Sequence, residues 1–314
     1  MENLEEMPRL CPLPELGFIR VSGKDAERFL HNQLSRNIEG LKAGKAPLAA
    51  WHDAKGRVRA LLRVLVLQDG WLLLVHKLQT QALIAQMSRF ILREDVVLEN
   101  VTGEWYAAAL VTKNTKALET YIAEHGIALN QGFANIGNST VVWKKGIAWV
   151  WIGPGLVQIF CSGNEKPKLL TSLPTGGPTE AEIAEIRLGI PLVTPEFEAR
   201  FIPHLLNLDA LGAVVLDKGC YPGQEIIART QNLGVVKRRM LRFSVKSTHV
   251  PAPGTPLEDS NGTRQGEVLR AAGQDGLVEI LAVVSLKGAK RRLYISKGAS
   301  LTAIQRELLP YTVP

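Results

Sequence analysis

The alternation of apolar and polar positions divides the chain into short elements of two periods. Residues 17 to 21, Gly-Phe-Ile-Arg-Val, follow the period of two of a half-buried strand. Ser22 with Asp25 three places on forms a capping-box-like start for a helix carrying Ala26, Phe29, Leu30 and Leu34. Between Pro47 and Val75 three strand-like runs are separated by Asp53-Ala54-Lys55-Gly56 and Gln68-Asp69-Gly70, turn sequences ending in Gly that predict an antiparallel meander. Residues 78 to 91 set Leu83, Met87, Phe90 and Ile91 on one helical face, and the β-branched run at Val96, Val97 and Val101 returns to strand. Further strands are predicted near Trp105 to Val111, Thr140 to Trp143, Ala148 to Ile152 and Val157 to Cys161, with a helix near Lys116 to His125. The first half therefore reads as antiparallel α+β.

Residues 172 to 179, SLPTGGPT, are turn-rich and precede a helical pattern with Ile183, Ile186 and Leu188 that stops at Gly189 and Pro191. After Gly234 short strands alternate with PAPG, DSNG and GQDG turns, the spacing of a small β-barrel or sandwich. The expected division is an α+β region of two subdomains over residues 1–238 and a C-terminal barrel over 239–314.

Composition narrows the class. The 314 residues are 46% hydrophobic and 21% charged, enough to bury a large core, which excludes a disordered or fibrous chain. Lys plus Arg exceed Asp plus Glu by 37 − 30 = +7, leaving room for an anionic partner without requiring one. No basic region followed by an apolar run opens the sequence, and ALLRVLVL and WLLLV are broken by Arg63 and by residues 68–70, short of the ~18 residues of a membrane span; a cytoplasmic protein is expected. The three cysteines, Cys11, Cys161 and Cys220, are an odd count without a C-x-x-C, so neither a disulfide framework nor a zinc knuckle is implied. His31, His52, His76, His125, His204 and His249 are scattered without i, i+4 pairs, and no permanent metal is predicted.

The most loaded stretch is Leu216-Asp217-Lys218-Gly219-Cys220-Tyr221-Pro222-Gly223-Gln224-Glu225-Ile226-Ile227-Ala228-Arg229. Pro222 suits a first helical position, Glu225 the first turn, and Asn232 with Gly234 a stop, so Cys220 is expected just outside a helix N-terminus. There, with Lys218 beside it and Arg229 nearby, its thiolate is favoured and it becomes a nucleophile or soft ligand. The alternative is a half-buried Cys packing as a small hydrophobe, and Gly219 and Gly223 are compatible with either.

KGCYPGQE with its Ile-Ile-Ala-Arg continuation, the later Lys237-Arg238-Arg239, and upstream Phe201-Ile202-Pro203, Asn207-Leu208 and Ala210-Leu211-Gly212 resemble the YgfZ-type folate-binding proteins, relatives of the glycine-cleavage aminomethyltransferase or T-protein. Weaker similarity reaches Val21-Ser22-Gly23 and Asp53-Ala54-Lys55-Gly56-Arg57. The resemblance implies a ring of antiparallel α+β subdomains with a C-terminal barrel around a hole that receives tetrahydrofolate. It also implies a role in assembly or maintenance of iron–sulfur clusters in client enzymes, including those that thiolate tRNA, with Cys220 as the functional thiol. Under this reading Lys218 raises the acidity of Cys220, while Gln224 and Glu225 orient ligand or backbone. Folate needs a platform, hydrogen bonds and cations: Tyr221 or Trp51 to stack, Gln224, Glu225 and Asp53 for the pterin edge, and Arg57, Arg187, Arg229 or Lys237 for carboxylates.

Two departures stand out. Where the T-protein carries a pair of aspartates after its Gly pair, this chain has Ala60 and Leu61, which disfavours aminomethyl transfer. Arg187 stands where the wider family has Glu before Ala-Gly, with Glu185 as a substitute carboxylate. The competing readings are a folate-dependent one-carbon transferase and a tRNA-binding module using Lys237, Arg238, Arg239, Lys287, Lys290, Arg291 and Arg292, although no interleaved aromatic series accompanies these cations.

Overall fold

The meander expected after Pro47 is built as β3 (Lys45–His52), β4 (Val58–Leu67) and β5 (Gly70–His76), in a computed structural model that describes residues 7–128, 136–297 and 300–314. β5 continues onto β2 (Leu16–Ser22), which pairs in turn with β6 (Val97–Asn100). Helices α1 (Ala26–Gln33) and α2 (Thr80–Met87) bury Phe29, Leu30, Leu83 and Met87 against Val21, Ala60, Leu62 and Val64 in one apolar cluster. The capping box expected at Ser22 does not form: Ser22 ends β2, α1 starts after Asp25, and the Asp25 carboxylate accepts from the Asp95 amide at 2.9 Å instead of capping the helix. The helix expected over 78–91 is α-helical only in α2 and carries a 3-10 turn at each end.

The second set of strands comprises β7 (Trp105–Val111), β8 (Asn138–Lys144), β9 (Ile147–Gly153) and β10 (Leu156–Ser162), with α3 (Thr115–Glu124) packed alongside. Asn114 caps α3, its side chain accepting from the Ala117 amide at 3.2 Å. Beyond β7 lies β1 (Arg9–Pro12), a short strand that the two prolines around it hid from the sequence pattern. β3 pairs with β4 on one edge and with β8 on the other, so both sets form one ten-stranded sheet in the order β1-β7-β10-β9-β8-β3-β4-β5-β2-β6.

The last region is a closed barrel of β11 (Arg238–Lys246), β12 (Pro256–Glu258), β13 (Arg264–Gln274), β14 (Leu277–Ser285), β15 (Leu293–Lys297) and β16 (Ser300–Glu307), ordered β11-β14-β13-β12-β15-β16. β11 also meets β16, which removes the exposed edges. Helix α4 (Pro178–Arg187) lies between sheet and barrel, and Ile183 and Ile186 join Leu48, Val58, Phe197, Phe201, Met240 and Leu281 in one buried cluster. The α+β class and the terminal barrel read from the sequence are thus the architecture of the chain. No helix among the described residues is long and apolar enough to cross a membrane.

Candidate functional site

The motif forms a bracket around a tight turn. The Gln224 amide donates to the Tyr221 carbonyl at 3.1 Å and Gly223 sits at φ +76, ψ 3, the geometry of a type II turn with Pro222 and Gly223 at its centre. Helix α5 (Gln224–Leu233) begins only after that turn, so Pro222 is not the first helical residue and Cys220 lies four residues before the helix. A β-carbon on Gly223 would stand 2.5 Å from both the Asp53 carbonyl oxygen and the Gly56 Cα, which is why the 53–57 turn and the motif turn meet glycine on glycine. From inside the bracket, the Gln224 side chain donates to the carbonyls of Leu216 at 3.3 Å and Lys218 at 3.4 Å. Gln224 therefore closes the turn.

Lys218 does not act on Cys220 in the expected way. Its ammonium donates to the carbonyls of His31, Leu34 at 2.8 Å and Arg36 at 3.0 Å, groups that the end of α1 leaves without helical partners. It also stands 5.3 Å from the centre of the Tyr221 ring. Burial lowers its pKa from 10.5 to about 8, with Glu39 pulling upward, and only the protonated amine has a hydrogen for each of the three carbonyls. The join extends along the chain: Arg36 donates to the Gly212 carbonyl, the Ser35 hydroxyl to that of Ala213 at 2.7 Å, and the Val215 amide to that of Ser35 at 2.9 Å.

On this support Cys220 is exposed, whereas Cys11 and Cys161 are buried. Burial, reinforced by Glu180 and opposed by Arg9, pushes the Cys11 thiol up to about 12, and burial raises that of Cys161. The packing reading of Cys220 as a small hydrophobe is thereby set aside.

Of the residues named for folate, the Asp53 turn meets the motif turn, but most of their side chains are buried, engaged within the protein or exposed on its surface. Tyr221 is buried, its ring 5.9 Å from that of His52, and burial raises its phenol. Trp51 is core, under the Arg59 guanidinium. Asp53 accepts the amides of Lys55 at 2.9 Å and Arg57 at 2.8 Å, shaping its own turn. Glu225 and Arg229 are exposed on α5, as are Arg57 and Lys237 elsewhere. Arg187 is paired with Glu279 at 2.8 Å on the barrel, where Arg242 also binds that carboxylate, so it is not a free cation for a ligand.

Of a second polar region the sequence pattern offered only Glu185. Glu185 accepts from Gln158 at 2.9 Å and from Arg270 at 3.0 Å, and Arg270 also pairs with Glu182 at 3.5 Å. Arg63, fully enclosed, donates to the Ala46 carbonyl at 2.6 Å and the Ser139 hydroxyl at 2.7 Å; burial lowers its pKa to about 10, with Glu185 opposing. These side chains come from β4, β10, α4 and β13, and so gather where both halves of the sheet, α4 and the barrel meet. Buried here without partners among the described residues are Arg270 Nε and His76 Nδ1. The available signal was an arginine inside an otherwise apolar strand, at Arg63 and again at Arg270, since charged residues are rarely buried unless paired.

No family model matches the chain. It is 25% identical over 320 aligned positions to the tRNA-modifying protein YgfZ of Colwellia psychrerythraea, covering 100% of this chain and 97% of that relative. To the tRNA-modifying protein YgfZ of Yersinia pestis it is 26% identical over 321 positions, covering 97% and 92% of the two chains. Glycine cleavage system aminomethyltransferase T from Bartonella henselae superposes with a TM-score of 0.69 over 98% of this chain and 87% of its own, at 15% identity, and so shares the fold. The chain is thus similar over its whole length to tRNA-modifying YgfZ proteins and has the fold of aminomethyltransferase T.

Two further features of the chain bear on chemistry. Ala60 is buried in the cluster beneath α1 and α2, and Leu61 packs against the apolar cluster around α4. The basic run after α5 is largely engaged within the protein: Arg239 is buried on Asp209 at 2.7 Å, Arg238 lies 3.6 Å from Glu267, and Arg291 in the barrel binds Asp259 at 2.5 Å.

Proposed function

We propose that this protein is a folate-binding accessory factor that supports assembly or repair of iron–sulfur clusters in client enzymes, tRNA-thiolating ones among them, through Cys220. The observation that carries the proposal is the exposed sulfur on a turn held from behind by Lys218 and Gln224, whereas Cys11 and Cys161 are buried. A thiolate so presented is a soft ligand for iron or a nucleophile toward sulfur, and the fixed turn lowers the entropy lost when a partner engages it. The names of the curated relatives, tRNA-modifying proteins, agree with a client that acts on tRNA.

For folate the donor set that fits is the central one. A pterin offers an amide-like edge and its tail offers carboxylates; Glu185 is a carboxylate for the first, and the unpartnered Arg270 Nε and His76 Nδ1 are hydrogen-bonding capacity for the second. When bound, a reduced folate supplies a one-carbon or redox-labile centre. Aminomethyl transfer is the weaker reading, because neither Ala60 nor Leu61 can accept a proton or face a developing ammonium. Direct tRNA binding is weakened by the engagement of Arg238, Arg239 and Arg291 with carboxylates.

The test is replacement of Cys220 by Ser in cells lacking the native copy, with thiolated tRNA and a cluster enzyme as readouts. Soluble protein with both activities lost is expected; unchanged thiolation overturns the proposal. Calorimetry with tetrahydrofolate should give binding to the native protein and its loss in a folded Glu185→Gln variant, and an absence of heat with native protein removes the folate arm.

A further inference from the structure

We infer that Arg200, Arg238 and Arg264 form a binding site for the terminal phosphate of a small phosphorylated molecule. The three guanidiniums converge on one carboxylate, that of Glu267, whose side chain is only 5% exposed. Arg200 binds Glu267 Oε2, Arg264 binds the same oxygen at 3.0 Å, and Arg238 lies 3.6 Å from Oε1. They come from three places in the chain: the segment after α4, the first residue of β11 and the first residue of β13. One carboxylate neutralises one of the three charges, and its two oxygens leave most of the guanidinium N–H donors unused. Each arginine side chain is between 41% and 56% exposed, so this surplus is open to solvent. The site stands apart from Cys220 and from the junction charges and rests on neither.

The cations are held in place. Ala199 and Phe201 exchange backbone hydrogen bonds with Val58 at 2.8 Å on either side of Arg200, whose guanidinium stands 5.3 and 5.7 Å from the centres of the buried Phe197 and Phe201 rings. Arg238 and Arg264 are fixed by the barrel register, opposite Ser285 and Glu258. Glu258 is thus a second carboxylate on this side, and Glu196, against Gly254, a third. Cations still outnumber them, because Lys237 beside Arg238, and Lys287 just past the Leu286 amide that binds the Lys237 carbonyl, are both exposed at the same end. Ordinary surface pairing sets one cation against one carboxylate, as Arg20 does with Asp69 at 2.7 Å. A phosphomonoester carries about two charges at neutral pH, the surplus left at Glu267, and its three terminal oxygens accept from forks that arrive from different directions. A row of singly charged phosphodiesters matches cations spread along a track; here they gather at a point, which favours a terminal phosphate.

Calorimetry of the whole protein with inorganic phosphate at about pH 8, against sodium chloride and sodium glutamate at the same ionic strength, tests the site. Saturable binding is expected for phosphate alone, and adenosine monophosphate should compete for it where adenosine does not. Arg264→Gln, the most exposed of the three positions, should weaken phosphate about tenfold, the worth of one hydrogen bond to a charged acceptor. Arg264→Lys, which keeps the charge and loses the fork, should fall between the two, and Arg20→Gln should bind as the native protein does. Glu267→Gln should bind phosphate more tightly, since it removes the competing anion; should that variant fail to fold, the Arg264 series decides alone. Absence of saturable binding, equal binding of glutamate, or the same loss in Arg20→Gln overturns the inference. Binding of tRNA that depends on Arg264, with no heat from inorganic phosphate, also overturns it, because the anion would then be a backbone phosphate and not a terminal one.

Discussion

At the junction of sheet and barrel, Arg270, Glu182 and Glu185 are satisfied largely by one another and by Gln158, with Arg63 enclosed beside them on the Ala46 carbonyl and the Ser139 hydroxyl. At the motif turn, Lys218 and Gln224 are satisfied by main-chain carbonyls, and the only reactive atom faces solvent. Both regions desolvate charge, but the first couples elements from opposite ends of the chain and the second fixes a few ångströms of backbone. Stability should therefore depend on the junction, and chemistry on the turn.

The largest effect that separates them is predicted for Arg270→Met, which leaves Glu185 without its cation. Breaking one side of a buried pair costs about 3–5 kcal/mol, so urea unfolding should shift by that amount while Cys220 in the folded protein is still labelled by iodoacetamide at its normal rate. A stable Arg270→Met protein would show that the junction charges are dispensable. Next, Gly223→Ala should cost about 2–4 kcal/mol, because the residue has positive φ and its β-carbon would meet the Asp53 carbonyl; here labelling of Cys220 should change along with the melting temperature.

Acid provides a third comparison. His52, beneath Tyr221, is held neutral by burial, its pKa lowered from 6.5 to about 3. The unfolded chain takes up that proton below pH 6.5 while the folded chain does not, so stability is full above 6.5 and is lost as pH falls toward 3, by up to about 1.4 kcal/mol per pH unit. Urea unfolding at pH 7.5 and pH 5 should therefore differ by about 2 kcal/mol in the native protein and by less in His52→Leu. The smallest effect is expected for Cys220→Ser, an exposed change within about 0.5 kcal/mol in the same melts, despite the loss of function proposed for it.

Local pattern carried much of this in advance. The strands near Trp105, Ala148 and Val157, the helix near Lys116 and the onset of the barrel are periodic segments bounded by Gly or Asn, and their chemistry is contained in neighbouring residues. So was the crowding at Cys220, where Pro222 and Gly223 mark a turn and Gly223 takes the positive φ that turn needs. The roles within that turn were less legible. Whether Lys218 faces a sulfur or a set of carbonyls depends on where the end of α1 lies, residues distant in sequence. The same holds for Arg187, whose partner Glu279 is on a barrel strand, and for Glu185, whose cation Arg270 is on another. Pairing of β3 with β8 is also invisible to any local window, because each strand alone reads as an ordinary half of a hairpin.

That last pairing has a consequence for biogenesis. The outer edge of β3 emerges from the ribosome long before Asn138 to Thr140 are made to cover it, so the nascent N-terminal half presents an open row of amides and carbonyls while α3 and its surroundings are still being translated. Synthesis stalled in that interval leaves a fragment prone to aggregation and a natural substrate for chaperones, although the finished molecule hides the strand entirely.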